Sequence, residues 1–331
     1  MPLSNEEKIE IQKLIRSEIT TKNAQSRVYA RYPQGNDGYD GEMRISQDKY
    51  GVTTFSCFAN KRWHHVELDM AAAELRDFGI EVAMGRIPGF AKINKFGEAL
   101  DCDSGVPTDL WDGANGALST DIWVPPTQAR IHALSSSSAN DAAAGTGLRT
   151  CKVYGLTSWT AKETSETVTM NGTGNTNTTN SYVIIHRIKG LTWGTGGVNA
   201  GDITATAATD ATITAGILAG QNQTQMMIYG WSSLQDLHVK LFQAELVKNT
   251  GTTQRGDAEI LYMSDPATNV VDNTAWTNKE NFLLAEGENP WTHQYDPPKS
   301  FPGPGIVKMQ VTTNTNGTKA IGAMDAYLAD I

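Results

Sequence analysis

Cysteine is scarce in this chain. Cys57, Cys102 and Cys151 are the three present in 331 residues, and their wide spacing forms neither a CxxC pair nor a disulfide framework. Each is expected as a reduced, partly buried side chain. Long apolar runs are missing too: no stretch approaches the roughly 18 to 20 residues needed to cross a bilayer, and no basic segment followed by an apolar one opens the sequence. Membrane insertion is therefore not expected, and Asn-x-Thr triplets at Asn171, Asn177, Asn222 and Asn316 are not read as glycosylation sites. Positive charge is in deficit, with 27 Lys and Arg against 36 Asp and Glu and a net charge of −9. A grip on nucleic acid needs clustered cations to neutralise phosphates, so that partner is excluded.

Catalytic signatures are absent as well. There is no Gly-x-Ser-x-Gly elbow and no His-Glu-x-x-His helix, and Gly145-Thr146-Gly147 lacks the Lys-Ser or Lys-Thr of a phosphate loop. A tight turn is expected there. His64 and His65 are adjacent, so on a strand they point to opposite faces, while His132, His186, His238 and His293 stand singly. No cofactor is implied. Paired carboxylates for glycan cleavage are set by spatial rather than sequence spacing, so a glycan-degrading spike stays open as a reading of another class.

What is present is a globular composition, 39% hydrophobic, long enough to bury a core. Residues 4–24 read as a helix capped by Ser4 with Glu7 three positions on, and Ile11, Leu14, Ile15 and Ile19 form an apolar stripe at helical spacing. One short helix does not bury such a stripe alone. Either its own domain, sister copies or a larger particle must cover it. With its polar connector it makes a first segment, 1–38. Segment 39–70 reads as a small β-module, with strands over 52–58 and 63–68 following Met43 and Ile45. Segment 71–116, broken by Gly and Pro, reads as an irregular connector. From 117 to 331 short strand patterns recur between turn residues, with Asn171-Gly172 as the strongest hairpin marker. That pattern predicts a mainly β fold, an antiparallel β-sandwich or jelly roll. The passage 291–304, rich in Pro, reads as an extended run covering a sheet edge.

Two sets of residues are candidates for binding. Asp101, Asp103 and Asp109, with Asp112 downstream, offer oxygen ligands for a hard cation such as Ca²⁺. Their spacing departs from an EF-hand, and turn-forming aspartates on a solvated loop are the alternative. Trp193, Trp231, Trp276 and Trp291 lie among polar loops, where ring faces stack on sugars or contact proteins, or else simply pack.

The tract 134–229 carries a series of phrases: Ser-Ser-Ser-Ala-Asn-Asp (136–141), Ala-Gly-Thr-Gly-Leu-Arg-Thr (144–150), Val-Tyr-Gly-Leu (153–156), Glu-Thr-Val-Thr-Met-Asn-Gly (166–172), Asn-Ala-Gly-Asp-Ile (199–203) and Ala-Gly-Gln-Asn-Gln-Thr-Gln-Met (219–226). In wording and order this series resembles a β-rich domain of virion structural proteins of tailed bacteriophages of aquatic bacteria, over roughly the last two-thirds of the chain. Gly-Glu-Met-Arg-Ile (41–45) and Asn-Lys-Arg-Trp (60–63) resemble small modules near the attachment ends of phage fibres. The resemblance implies a non-enzymatic fibre or adhesin of tail or head, or a capsid decoration protein. It also implies assembly in the host cytoplasm into the virion, a homotrimer anchored through the N-terminal helix, other virion proteins as partners, and a host surface glycan or protein as target.

Overall fold

A computed structural model describes residues 28–29, 43–47, 53–59, 62–68, 78–113, 120–247, 254–269, 275–285 and 290–331. The chain divides into two compact units, 1–80 and 81–331. In the first, β1 (Val28–Tyr29), β2 (Met43–Gln47), β3 (Thr53–Ala59) and β4 (Arg62–Leu68) form one sheet in that order, parallel at β1–β2 and antiparallel elsewhere. Strands β2 to β4 lie within the segment 39–70 read as a small β-module, and β1 lies before it, in the segment read as helix and polar connector. The helix expected over 4–24, with Ile11, Leu14, Ile15 and Ile19, lies outside the described residues.

A short helix, α1 (Phe78–Ala83), falls at the boundary in sequence. The second unit then runs through β5 (Phe90–Cys102), β6 (Thr108–Asp109), β7 (His132–Ser136), β8 (Leu148–Leu156), β9 (Thr164–Thr169) and β10 (Thr176–Asn177). It continues with β11 (Ile184–Trp193), β12 (Ile203–Ala207), β13 (Ile213–Ile217), β14 (Ile228–Trp231) and β15 (Gln235–Val247). After β16 (Arg255–Ser264) come a single helical turn α2 (Pro266–Asn269), β17 (Thr277–Ala285), β18 (Trp291–Phe301), β19 (Gly305–Thr313) and β20 (Thr318–Asp330). The strands make four sheets, ordered β18-β15-β20-β5, β14-β19-β16-β17 with β6 on β19, β11-β8-β9, and β10-β7-β12-β13. Every pairing between these strands is antiparallel, so the mainly β, antiparallel fold is as read from the sequence.

Alternation explains the long strands. Along β15, Leu237 and Val239 point inward, a bulge at 240–241 resets the parity, and Phe242, Ala244 and Leu246 point inward again. Without that bulge the second half of the strand would turn its apolar set to solvent. The inward faces of all four sheets join one apolar cluster, in which Trp111, Trp123, Trp231, Ile260, Met309 and Met324 are all almost fully excluded from water.

The expected connector over 71–116 is corrected in its middle. Residues Phe90–Cys102 form a 13-residue strand, paired along its length with the C-terminal β20. Its signal was hidden because two inward positions are not apolar. Lys95 is buried, and Gly97 stands where any Cβ would collide with the backbone of Met227 and Leu110. The passage 291–304 does run along an edge: β18 is the outer strand on β15, and Pro297 and Pro298 cost no interior ladder bonds there. The Asn171-Gly172 turn is not a two-residue hairpin. Gly172 alone takes a positive φ, 62°, and the turn passes the chain from β9 in one sheet to β10 in another.

Candidate functional site: a stapled loop cluster and a polar pocket

Five of the six phrases in the tract 134–229 meet in space around two buried polar side chains. Asp141 is fully buried, and its two carboxylate oxygens accept four hydrogen bonds. Oδ1 takes Leu148 N at 2.6 Å and Ala200 N at 2.8 Å; Oδ2 takes Ser136 Oγ at 2.6 Å and Gly201 N at 2.9 Å. The Asp141 carbonyl receives Gly172 N, and the Gly172 carbonyl receives Ser136 N. Gly147 is required here for close approach, because a side chain would strike the Asp141 carboxylate. Asn199 is the second hub: Nδ2 donates to Gly201 O and Leu218 O, and Oδ1 accepts Asn222 N, each at 2.8 Å. Asn222 in turn accepts Trp193 Nε1 at 2.7 Å. Ser, Asn and Asp favour such turns because their short side chains bond nearby backbone groups. The tract is therefore a fixed surface in which the loops are pinned to one another by buried acceptors.

The aspartates behave differently from the cation loop expected of them. Asp109 is fully buried on β6, where Oδ2 accepts Lys308 Nζ at 2.6 Å and Trp123 N at 2.8 Å, and Oδ1 accepts Gln310 Nε2 at 2.9 Å. Its oxygens are committed, while Asp101 and Asp103 are exposed. Among the described residues no cluster of three metal-ligating side chains forms, so the Asp101, Asp103 and Asp109 set is corrected. Asp112 is also buried. It accepts Gln225 N through Oδ2 while Oδ1 has no partner among the described residues, and burial pushes its carboxyl up to about 8.

That shift has a pH consequence. A folded-state value raised above the unfolded one means that the native protein holds a proton the unfolded chain has released. The stability is thus present below about pH 4 and is lost as pH rises through about 8. Buried His132, held down to about 4 by burial, acts at the other end: its contribution is lost as pH falls from the ordinary histidine range through about 4. Thermal melts of Asp112→Asn against wild type are expected to show a shallower fall in Tm between about pH 4 and 8, the difference in stability amounting to roughly a few kcal/mol. Parallel profiles would contradict it.

The tryptophans are occupied. Trp231 is fully buried and stacks on Tyr262, which removes it as a receptor contact. Trp291 lies against Phe282 with ring centroids 3.5 Å apart, Trp193 is tied to Asn222, and Trp276 carries the Lys308 ammonium 4.4 Å from its ring centre. Large amphipathic rings pack first wherever a sheet edge offers a partner. Cys102 and Cys151 are buried and free as expected, with burial pushing both thiols up to about 12, so neither is a nucleophile at neutral pH.

A group of residues not anticipated from the sequence lines a polar pocket of about 220 Å³ between β5, β8, β11 and β14. His186 Nε2 meets Glu163 Oε2 at 2.5 Å, and its ring lies 4.6 Å from that of Tyr229. Lys95 reaches in from β5 and donates to the His186 carbonyl, while Arg187 Nη2 donates to Asn94 O at 2.6 Å. Burial, then the Arg187 charge, hold Lys95 well below the usual lysine range; burial also holds His186 low despite Glu163. Burial would raise Glu163, but the His186 hydrogen bond and the Arg187 and Lys95 charges hold it low. Burial pushes the Tyr229 hydroxyl well up. His186 Nε2 thus faces the Glu163 carboxylate, and Nδ1 is buried with no hydrogen-bond partner among the described residues, an acceptor in the neutral ring that burial favours. Among the described residues, no Ser, Thr or Cys lines the pocket.

A second concavity, of about 320 Å³, lies on the outer face of the β15-β20-β5 sheet, with Phe96, Ile321 and Ala323 at its floor. Its Glu98 is already engaged by Lys319 and Gln221, each at 2.5 Å.

No family model and no curated protein matches this chain. Among solved structures, that of infectious bursal disease virus, Gt strain, aligns over 77% of this chain and 83% of that one, with 9% identity and a TM-score of 0.18. A likeness at that level carries no argument about function.

Proposed function

We propose that this chain is a non-enzymatic structural component of a tailed-bacteriophage virion, a fibre or adhesin subunit carried on tail or head. The observation that supports it best is the loop cluster around Asp141 and Asn199. The Ser-, Asn-, Gly- and Thr-rich phrases that resemble phage virion proteins are the segments these buried acceptors pin together. A surface held by stapled polar turns over a rigid sandwich suits repeated presentation of one face. Many weak contacts made by several copies then raise effective affinity without a deep pocket. Self-association into a trimer through the segment carrying Ile11, Leu14, Ile15 and Ile19 belongs to the same proposal, as do neighbouring virion proteins and a host surface molecule as partners.

Electron cryomicroscopy of the intact particle, with density assigned to this chain, tests the reading. Density at the tail, the neck or a projecting head spike is the expected result. Density seated across capsomer boundaries would replace it with capsid decoration, and absence of the chain from purified virions would overturn both.

A further inference from the structure

The pocket between β5 and β11 holds more hydrogen-bonding capacity than the protein uses. Lys95 is 3% exposed and spends one N–H on the His186 carbonyl, so donors remain on its nitrogen whether or not it is protonated. Arg187 spends one N–H of its guanidinium on Asn94 O, and Lys92 and Lys189 stand at the rim. Lys92 is drawn to Asp325 at 3.5 Å, and Glu163 is the one carboxylate among the described residues of the lining. Cations therefore outnumber anions here, against the −9 of the whole chain. The His186 ring adds the opposite need, a buried Nδ1 acceptor that calls for a donor. Buried polar groups left unpaired are costly, and a site that keeps them is built for something that pairs them.

We infer that this pocket binds an acidic sugar residue, its carboxylate taken by Lys95 and Arg187 and one of its hydroxyls given to His186 Nδ1. The two demands select the ligand class together. Sulfate at neutral pH supplies acceptors but no donor, hydrogen phosphate supplies both but has no apolar face to set against Tyr154 and Tyr229, and a neutral sugar supplies hydroxyls but no charge. The volume of about 220 Å³ sits below the range typical of drug-sized ligands, which suits one terminal ring rather than an oligosaccharide stretch. Tyr154 and Tyr229 in the lining provide aromatic surface for the apolar side of such a ring. The inference is independent of the virion reading, because it concerns the isolated chain.

Isothermal titration of the full chain with D-glucuronate, D-glucose and inorganic sulfate tests it. Saturable binding of glucuronate with a dissociation constant on the order of 1 mM or tighter is expected, with glucose at least ~10-fold weaker. Arg187→Gln, at a part-exposed position, and Lys95→Met are each expected to weaken glucuronate at least ~10-fold, while Lys240→Gln on β15 leaves it unchanged. Arg187→Gln keeps the test decisive should the buried Lys95 variant fail to fold. Sulfate binding as tightly as glucuronate, glucuronate binding that survives Arg187→Gln, or no binding at all would each overturn the inference. None of these results would alter where the chain sits on a particle.

Discussion

Asp141→Ala is expected to lower the stability of the second unit by about 4 kcal/mol, the largest loss from a single polar residue in the loop tract. The carboxylate is fully buried and accepts three backbone amides and one hydroxyl. Hydrogen bonds to a charged acceptor contribute about 1.5–3 kcal/mol each, and a buried donor left without a partner costs about 1–3 kcal/mol. Those terms are not additive, since the loops relax and water enters, so the sum is discounted to the range of severe single mutants. For a unit of this size the loss corresponds to a Tm lower by roughly 8–16 °C. Hydrogen exchange at the amides of Leu148, Ala200 and Gly201 should accelerate together, because one acceptor serves all three. Asp141→Asn is expected to be nearly as damaging, since its NH₂ group must face a donor. A Tm within about 2 °C of wild type would show that the loops hold without the hub, and would remove the main support for a rigid presenting surface.

The Asp109–Lys308 pair should show the opposite arithmetic when both partners change. Both side chains are buried, 199 positions apart in sequence, and meet at 2.6 Å. Removing one partner, by Asp109→Leu or Lys308→Met, strands the other charge in the core and is expected to cost about 3–5 kcal/mol. The double variant leaves no buried charge and should be less destabilised than either single one, although Trp123 N and Gln310 still lose their acceptor. A double-mutant cycle in chemical denaturation reads the difference directly. Simple additivity of the two single effects would mean that the charges are solvated in the native state.

Part of this was legible beforehand. The recurring strand patterns read from 117 onward correspond to a run of antiparallel strands, β7 to β20, over the same stretch. The buried thiols and the edge passage at 291–301 were readable as well. Each of these rests on local chemistry: side-chain period, turn residues, proline. The misreadings have local causes too. The alternation of β5 is interrupted by Lys95 and Gly97, and Asn171-Gly172 has the composition of a hairpin turn without two strands of one sheet beside it. Asp109 and Trp231 have polar neighbours in sequence, whereas distant partners such as Lys308 and Tyr262 surround them in space.

Antiparallel β-structure with polar, turn-rich connections follows from the chain alone, because strand existence depends on the residues within a strand. Which groups share an environment follows from how the sheets close. Lys95 and His186 are separated by 91 positions, and Asp141 and Gly201 by 60, and their meeting depends on which strands pair. Pairing is chosen by the fit of whole faces in the core, so a buried hub and a solvated aspartate look alike in the chain and differ only once the sheets close over one of them.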